Sequence, residues 1–179
     1  DNILGQQKTI LYGGIIIMFG HLSLAIPNIN SFYIGLILVV LGTGLLKPNI
    51  SAIVGELYEN NPEMRQSGFT IFYMAINLGS ILGFFICGYL GENIGWHYGF
   101  GAAGIGMAFG LMQYIYNIKL LENYGLEPFN KIDSKMKNKY KKIILTSLAL
   151  IFSITISGLL GLWNINPVPL ANILTVIIT

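Results

Sequence analysis

Long apolar runs separated by short polar turns dominate the chain. A membrane-spanning helix needs roughly 20 mostly apolar residues, and five runs approach or exceed that length, followed by a sixth, partial run. The predicted spans are Ile10–Ile26, Phe32–Leu57, Phe69–Gly91, Tyr98–Ile118, Ile143–Trp163 and a run from Val168 onward. This pattern predicts an all-α fold, a polytopic transmembrane helical bundle. Because neither end looks like a natural terminus, we expect the chain to be a truncated part of a longer bundle.

Basic residues alternate along the connecting segments. They occur at Lys8, at Arg65, and at Lys119 together with six lysines from Lys131 to Lys142. The intervening loops at 27–31, 92–97 and 164–167 contain no Lys or Arg. Because cytoplasmic loops collect these residues, the pattern predicts a cytoplasmic N-terminus and a cytoplasmic, lysine-rich linker at 119–142. We interpret the lysines as topology signals, with binding of anionic lipid headgroups as the alternative.

Composition agrees with a membrane protein and excludes several other classes. Charged residues make up 10% of the chain and hydrophobic residues 54%, whereas a soluble domain carries about a quarter charged residues. A lipid bilayer is therefore a predicted partner, and a net charge of +2 gives no reason to expect nucleic acid. One cysteine and two scattered histidines do not predict a metal site. No cofactor is predicted, and no nucleophile–base pair or phosphate loop suggests an enzyme.

One lysine lies in the middle of an apolar run. Lys47 occurs in the stretch Gly-Leu-Leu-Lys-Pro-Asn-Ile-Ser at 44–51. A charge at the bilayer centre costs on the order of 3 kcal/mol, so such residues face a bundle interior or a watery cavity. Pro48 weakens the helical hydrogen bonding nearby and opens backbone groups to that cavity. The sequence favours a functional Lys47, although it could also snorkel or pair with a carboxylate to hold helices together.

Other polar and small residues in the runs each allow two interpretations. Asn77 must find hydrogen-bond partners at mid-span, in a ligand or in a neighbouring helix. Glu56 could form a gating salt bridge, but an interface carboxylate is slightly favoured. His21 could relay protons, or it could simply be wetted at the end of its span. Gly79 and Gly83 form a G-x-x-x-G pair typical of close helix packing, with substrate contact as the alternative.

Three segments resemble the proton-dependent oligopeptide transporter family of the major facilitator superfamily. The stretch Phe69–Ile81 fits the family's FYxxINxG signature, and 44–51 is similar to its GxxKPxxS stretch. The segment Asp1–Gly5, with the residues that follow it, matches the latter part of the signature between the family's helices two and three. Asn2 stands where the family has a basic residue.

The resemblance implies a specific place for the chain in the transporter. Residues 1–118 would form family helices three to six, part of the N-terminal bundle, and 143–179 would be additional helices. The implied function is proton-coupled symport of di- and tripeptides across the bacterial cell membrane, as part of a longer protein. The implied partners are small peptides, protons and the remainder of the transporter. Alternatives are the same fold carrying another small nitrogenous solute, or a non-transporting truncated remnant.

The resemblance also implies roles for individual residues. Lys47 would take part in proton coupling and in recognising the peptide carboxylate. Asn77 would hydrogen-bond the peptide backbone, with Tyr73 as its neighbour in the pocket. The residues implied in gating or in structural support are Asp1, Gly5, Pro48, Glu56, Gly79 and Gly83.

Overall fold

The computed structural model describes residues 5–121, 123–126 and 134–159, and every regular element in these ranges is helical. The elements are α1 (Gln6–Leu24), α2 (Ile29–Leu57), α3 (Pro62–Gly83), a π-helical turn (Phe84–Gly88), α4 (Tyr89–Asn93), α5 (Trp96–Asn117), a 3-10 turn (Ile118–Leu121) and α6 (Ser134–Leu159). The all-α prediction is confirmed. Two described helical segments, Ile29–Leu57 and Pro62–Asn93, are long and apolar enough to cross a membrane.

Several helices begin earlier than the apolar runs predict. The helix that contains the third predicted span begins at Pro62 rather than at Phe69. Proline suits the first turn of a helix, and the Asn61 side chain caps this one by accepting a hydrogen bond from the Met64 N–H at 3.3 Å. In the same way, α1 begins at Gln6 rather than at Ile10. Polar first turns explain both differences, since they are helical without being apolar.

The last predicted elements are only partly described. Helix α6 begins at Ser134, nine residues before the predicted span and inside the predicted linker. Its first nine residues, 134–142, contain five lysines, and 143–159 contain no Asp, Glu, Lys or Arg. The run from Val168 and the end of the fifth span lie outside the described residues. The chain divides into two units, residues 1–133 and 134–179, and α6 belongs to the second.

Helix α1 lies between α2 and α5. A Cβ atom on Gly42 of α2 would lie 2.6 Å from the carbonyl oxygen of Gly13, so the backbones of α1 and α2 touch there. On the other side of α1, a Cβ on Gly14 would lie 2.6 Å from Cδ2 of Leu111 in α5. Small residues allow this approach, which lets helices pack in lipid without a hydrophobic driving force.

Helix α3 packs at its two ends and is open between them. None of its residues is buried. At its first turns, the Tyr58 ring at the end of α2 covers Gly68. Beyond its other end, a Cβ on Gly99 of α5 would lie 2.6 Å from the Cys87 carbonyl oxygen in the π-helical turn. This arrangement leaves the middle of α3 uncovered by the other described helices.

Candidate functional site

Lys47 lies on the open face of α2. Four buried residues define the packed face of this helix: Gly35, Gly42, Asn49 and Ile53. The first three are seven residues apart. Lys47 is exposed, as are Gly44 and Pro48 beside it, and a Cβ on Gly44 would meet nothing within 4 Å. In the part of the chain that the structure describes, no carboxylate lies within ion-pair distance of the Lys47 ammonium. The helix therefore presents an uncompensated cation away from its packed seam.

Pro48 leaves α2 helical but changes its hydrogen bonding. Because proline has no N–H, the Gly44 carbonyl lacks its usual donor four residues later. Side chains supply two nearby bonds: Asn49 Nδ2 donates to the Leu45 carbonyl at 2.7 Å, and the Ser51 hydroxyl donates to the Lys47 carbonyl at 3.2 Å. The proline thus gives the exposed face a polar backbone group beside Lys47, without a break in the helix.

The sequence interpretation did not single out Asn49, although it lies in the same motif. It is 4% exposed, and its Oδ1 has no partner among the described residues. Its position on the packed face, seven residues after Gly42, distinguishes it from Lys47. The seven-residue spacing of Gly35, Gly42 and Asn49 was the feature of the sequence that could have placed Asn49 on the packed face.

Tyr73 and Asn77 lie on the open middle of α3. Both are exposed, and they continue a helical stripe of exposed polar side chains that begins with Gln66 and Thr70. The Tyr73 ring stacks on Phe69, with centroids 6.2 Å apart and an interplanar angle of 27°. Asn77 makes no side-chain hydrogen bond within the described ranges, so it does not link α3 to another described helix.

Helices α2 and α3 are neighbours joined by a short turn. A Cβ on Gly55 of α2 would lie 3.4 Å from Nη2 of Arg65 and 3.8 Å from Cζ of Phe69, the tips of two long side chains of α3. The helices run in opposite directions from this contact. Lys47 lies eight residues before Gly55, and Asn77 lies eight residues after Phe69. The cation and the amide therefore lie on neighbouring helices, both away from the turn that joins them.

Glu56 is hydrogen-bonded to α1 and is too far from Lys47 to pair with it. One of its carboxylate oxygens, Oε1, accepts a hydrogen bond from Gln6 Nε2 at 2.6 Å. Glu56 and Lys47 are nine residues apart on one helix, about 13 Å along its axis, which is too far for an ion pair. The contact with Gln6 lies at the end of the unit where α1 begins and α2 and α5 end, which we call the linker end.

The remaining predicted residues have less defined surroundings. A Cβ on Gly79 or Gly83 would meet nothing within 4 Å, so no described helix packs on this pair. Gly5 adopts φ +79 just before α1, and Asp1 lies outside the described residues. His21 lies near Gly104 of α5, and its Nδ1 is buried without a partner in the described part of the chain.

Comparisons with known proteins agree with the helical arrangement. The family profile PTR2, described as POT family, matches residues 7–164. The uncharacterized transporter YclF of Bacillus subtilis (strain 168) is 49% identical over 131 residues, which cover 73% of this chain and 26% of that protein. The di-/tripeptide transporter of Lactococcus lactis subsp. lactis (strain IL1403) is 39% identical over 174 residues, which cover 96% and 34%.

A solved structure gives the same result in three dimensions. The crystal structure of the peptide transporter POT in complex with sulfate matches with a TM-score of 0.81 and 36% identity, over 99% of this chain and 37% of that one. The chain thus spans about a third of the length of the relatives that it matches over nearly its whole length. With the family profile matched over most of the chain, this multi-pass membrane protein belongs to the POT family, a family of transporters rather than enzymes.

Proposed function

We propose that the full-length protein containing this chain carries di- and tripeptides across the cell membrane together with protons. The observation that carries the proposal is Lys47, an exposed cation without a described ionic partner in the middle of a membrane-spanning helix. A charge in that position is expensive unless it serves a cavity or a pathway. A Lactococcus lactis relative of the chain is itself named a di-/tripeptide transporter, which favours peptides over other small solutes.

The chemistry of the two open faces suits a short peptide. A zwitterionic peptide has a carboxylate at one end, an ammonium at the other and amides between them. Lys47 supplies a cation for the carboxylate, and Asn77, on the neighbouring helix, supplies both a donor and an acceptor for a peptide amide. Tyr73 lies about one turn from Asn77 and adds an aromatic surface and a hydroxyl. The ammonium end needs a carboxylate, which would come from another part of the protein.

The same lysine gives a route to proton coupling. An ammonium in a poorly solvated cavity is stabilised by an ionised carboxylate close to it. When that carboxylate takes up a proton, Lys47 loses its partner and becomes available to the carboxylate of a peptide. Proton entry and peptide binding are then linked through one side chain, because the lysine can satisfy only one of the two anions at a time.

Uptake by the full-length protein in proteoliposomes tests this proposal. A labelled dipeptide is offered with and without an inward proton gradient, and counterflow exchange is measured separately without a gradient. Wild type is compared with Lys47→Ala and with Lys8→Ala, which removes a lysine from the first turn of α1. We expect gradient-driven uptake by wild type and Lys8→Ala. Lys47→Ala should lose gradient-driven uptake and keep a weakened counterflow, because the peptide carboxylate loses its cation.

The outcomes separate the parts of the proposal. Loss of both activities in Lys47→Ala, with the protein still folded, would assign Lys47 to peptide binding and not to coupling alone. Gradient-driven uptake that survives Lys47→Ala would remove the lysine from the coupling step. If wild type takes up no dipeptide under any gradient, the substrate assignment is wrong.

A further inference from the structure

The first turn of α1 is capped by a distant part of the chain. Gly5 precedes the helix, and no side chain caps it, although the first N–H groups of a helix have no acceptor within the helix. Instead, the Gln7 N–H donates to the carbonyl of Gly125 at 3.1 Å. The turn after α5 therefore takes the place of an N-cap for α1.

Gln7 makes two further hydrogen bonds at the same place. Its side-chain Nε2 donates to the Tyr124 carbonyl at 2.7 Å, and its own carbonyl accepts from the Tyr114 hydroxyl at 3.1 Å. Gln7 is only 4% exposed, so these hydrogen bonds to protein groups replace bonds that Gln7 would otherwise make to water. One residue thus joins the beginning of α1 to the end of α5 and to the turn that follows it.

Two glycines allow this turn to pack closely against the beginning of α1. Gly5 and Gly125 adopt φ +79 and +68, a conformation that other residues rarely adopt. A Cβ on Gly125 would lie 2.8 Å from Cδ1 of Ile53 in α2, and one on Gly5 would collide with the Leu126 carbonyl. The fit leaves no room for a side chain at either position, so the turn and the beginning of α1 are shaped for each other.

We propose that Gln7 is a positioning residue that clamps residues 124–126 to α1, so that this part of the predicted linker moves as one body with the beginning of α1. If the turn moved away, the Gln7 N–H would lose the Gly125 carbonyl and Nε2 would lose the Tyr124 carbonyl at a buried site, and α1 would lose its cap. That penalty opposes separation of the turn from α1. The part of this proposal that concerns transport rests on the proposed function, whereas the clamp itself does not.

Hydrogen–deuterium exchange of the full-length protein in detergent tests the clamp. Gln7→Met keeps the length of the side chain but has no donor, and Tyr114→Phe removes one hydroxyl. Gln113→Ala is the matched control, because Gln113 is an exposed glutamine on α5 whose side chain makes no hydrogen bond in the described ranges. The loss of one hydrogen bond corresponds to about a fivefold change in opening.

We expect Gln7→Met to raise the exchange rate of the backbone amides at position 7 and at 123–126 about fivefold or more. Tyr114→Phe should give a smaller increase in the same segments and Gln113→Ala none. In dipeptide uptake, Gln7→Met should lower the maximal rate severalfold and leave KM unchanged, because Gln7 is remote from Lys47. A purely packing role predicts wild-type values for Gln7→Met, since methionine fills similar space.

Each result bears on a different step. Unchanged exchange in both Gln7→Met and Tyr114→Phe would overturn the clamp. Faster exchange with a wild-type maximal rate would show that the clamp has no role in the transport cycle. If wild type takes up no dipeptide, the proposed function fails, and the exchange measurements still decide for or against the clamp.

Discussion

The crossing of α1 and α2 predicts a specific cost for adding one methyl group to Gly42. In Gly42→Ala the new Cβ would lie 2.6 Å from the Gly13 carbonyl oxygen and 2.8 Å from the Ile17 nitrogen. Ordinary contact begins near 3.4 Å, so the backbones must move apart by roughly 0.8 Å. Backbone atoms cannot rotate away as a side chain can. Overpacking of this kind costs about 1–3 kcal/mol.

A matched glycine isolates that cost from helix propensity. Alanine is favoured over glycine in a helix by up to about 1 kcal/mol, and Gly106→Ala gains this term alone, since a Cβ on Gly106 meets nothing within 4 Å. We therefore expect the thermal midpoint of the full-length protein in detergent to fall in the order Gly106→Ala, Gly13→Ala, Gly42→Ala. Gly13→Ala is intermediate because its closest contacts are 2.9 Å. If Gly42→Ala is as stable as Gly106→Ala, the backbone contact inferred between α1 and α2 is wrong.

Three further substitutions test the site and the linker end. Glu56→Ala leaves the buried Gln6 side-chain amide without the carboxylate acceptor, so we expect the free energy of unfolding to fall by about 1–3 kcal/mol. Glu56→Gln keeps an acceptor, so its free energy of unfolding should fall by less. Equal losses in the two variants would show that this hydrogen bond does not stabilise the protein. Lys47→Ala should leave the thermal midpoint at or above that of wild type, because the ammonium has no described ionic partner, and a markedly lower midpoint would instead make it a structural residue. Asn77→Ala should raise the KM for dipeptide uptake about 2- to 10-fold with stability unchanged, and an unchanged KM would remove Asn77 from the proposed site.

The sequence predicted the helices well because their signal is local. An apolar run of spanning length indicates a helix wherever it occurs, and a lysine inside such a run is conspicuous without any knowledge of its neighbours. The predicted helix boundaries were wrong where the first turn of the helix is polar. Gln6 and Gln7 were expected to precede the first span, yet they are 5% and 4% exposed at the start of α1. Their burial depends on Glu56, 50 residues away, and on Tyr124, 117 residues away. No local pattern carries that information.

The two faces of α2 explain why the candidate site could be identified more easily than the contacts that support it. Gly35, Gly42 and Asn49 repeat every seven residues on the packed face, so small side chains there bring α1 within backbone contact. Lys47 lies on the other face, where it does not disturb that seam, and Pro48 can remove a backbone donor there without loosening a helix contact. A helix packed along one face can therefore carry, on its other face, a charge and a carbonyl that lacks its usual donor. In the proposed function, this arrangement would let Lys47 exchange ionic partners while α1 and α2 stay packed against each other.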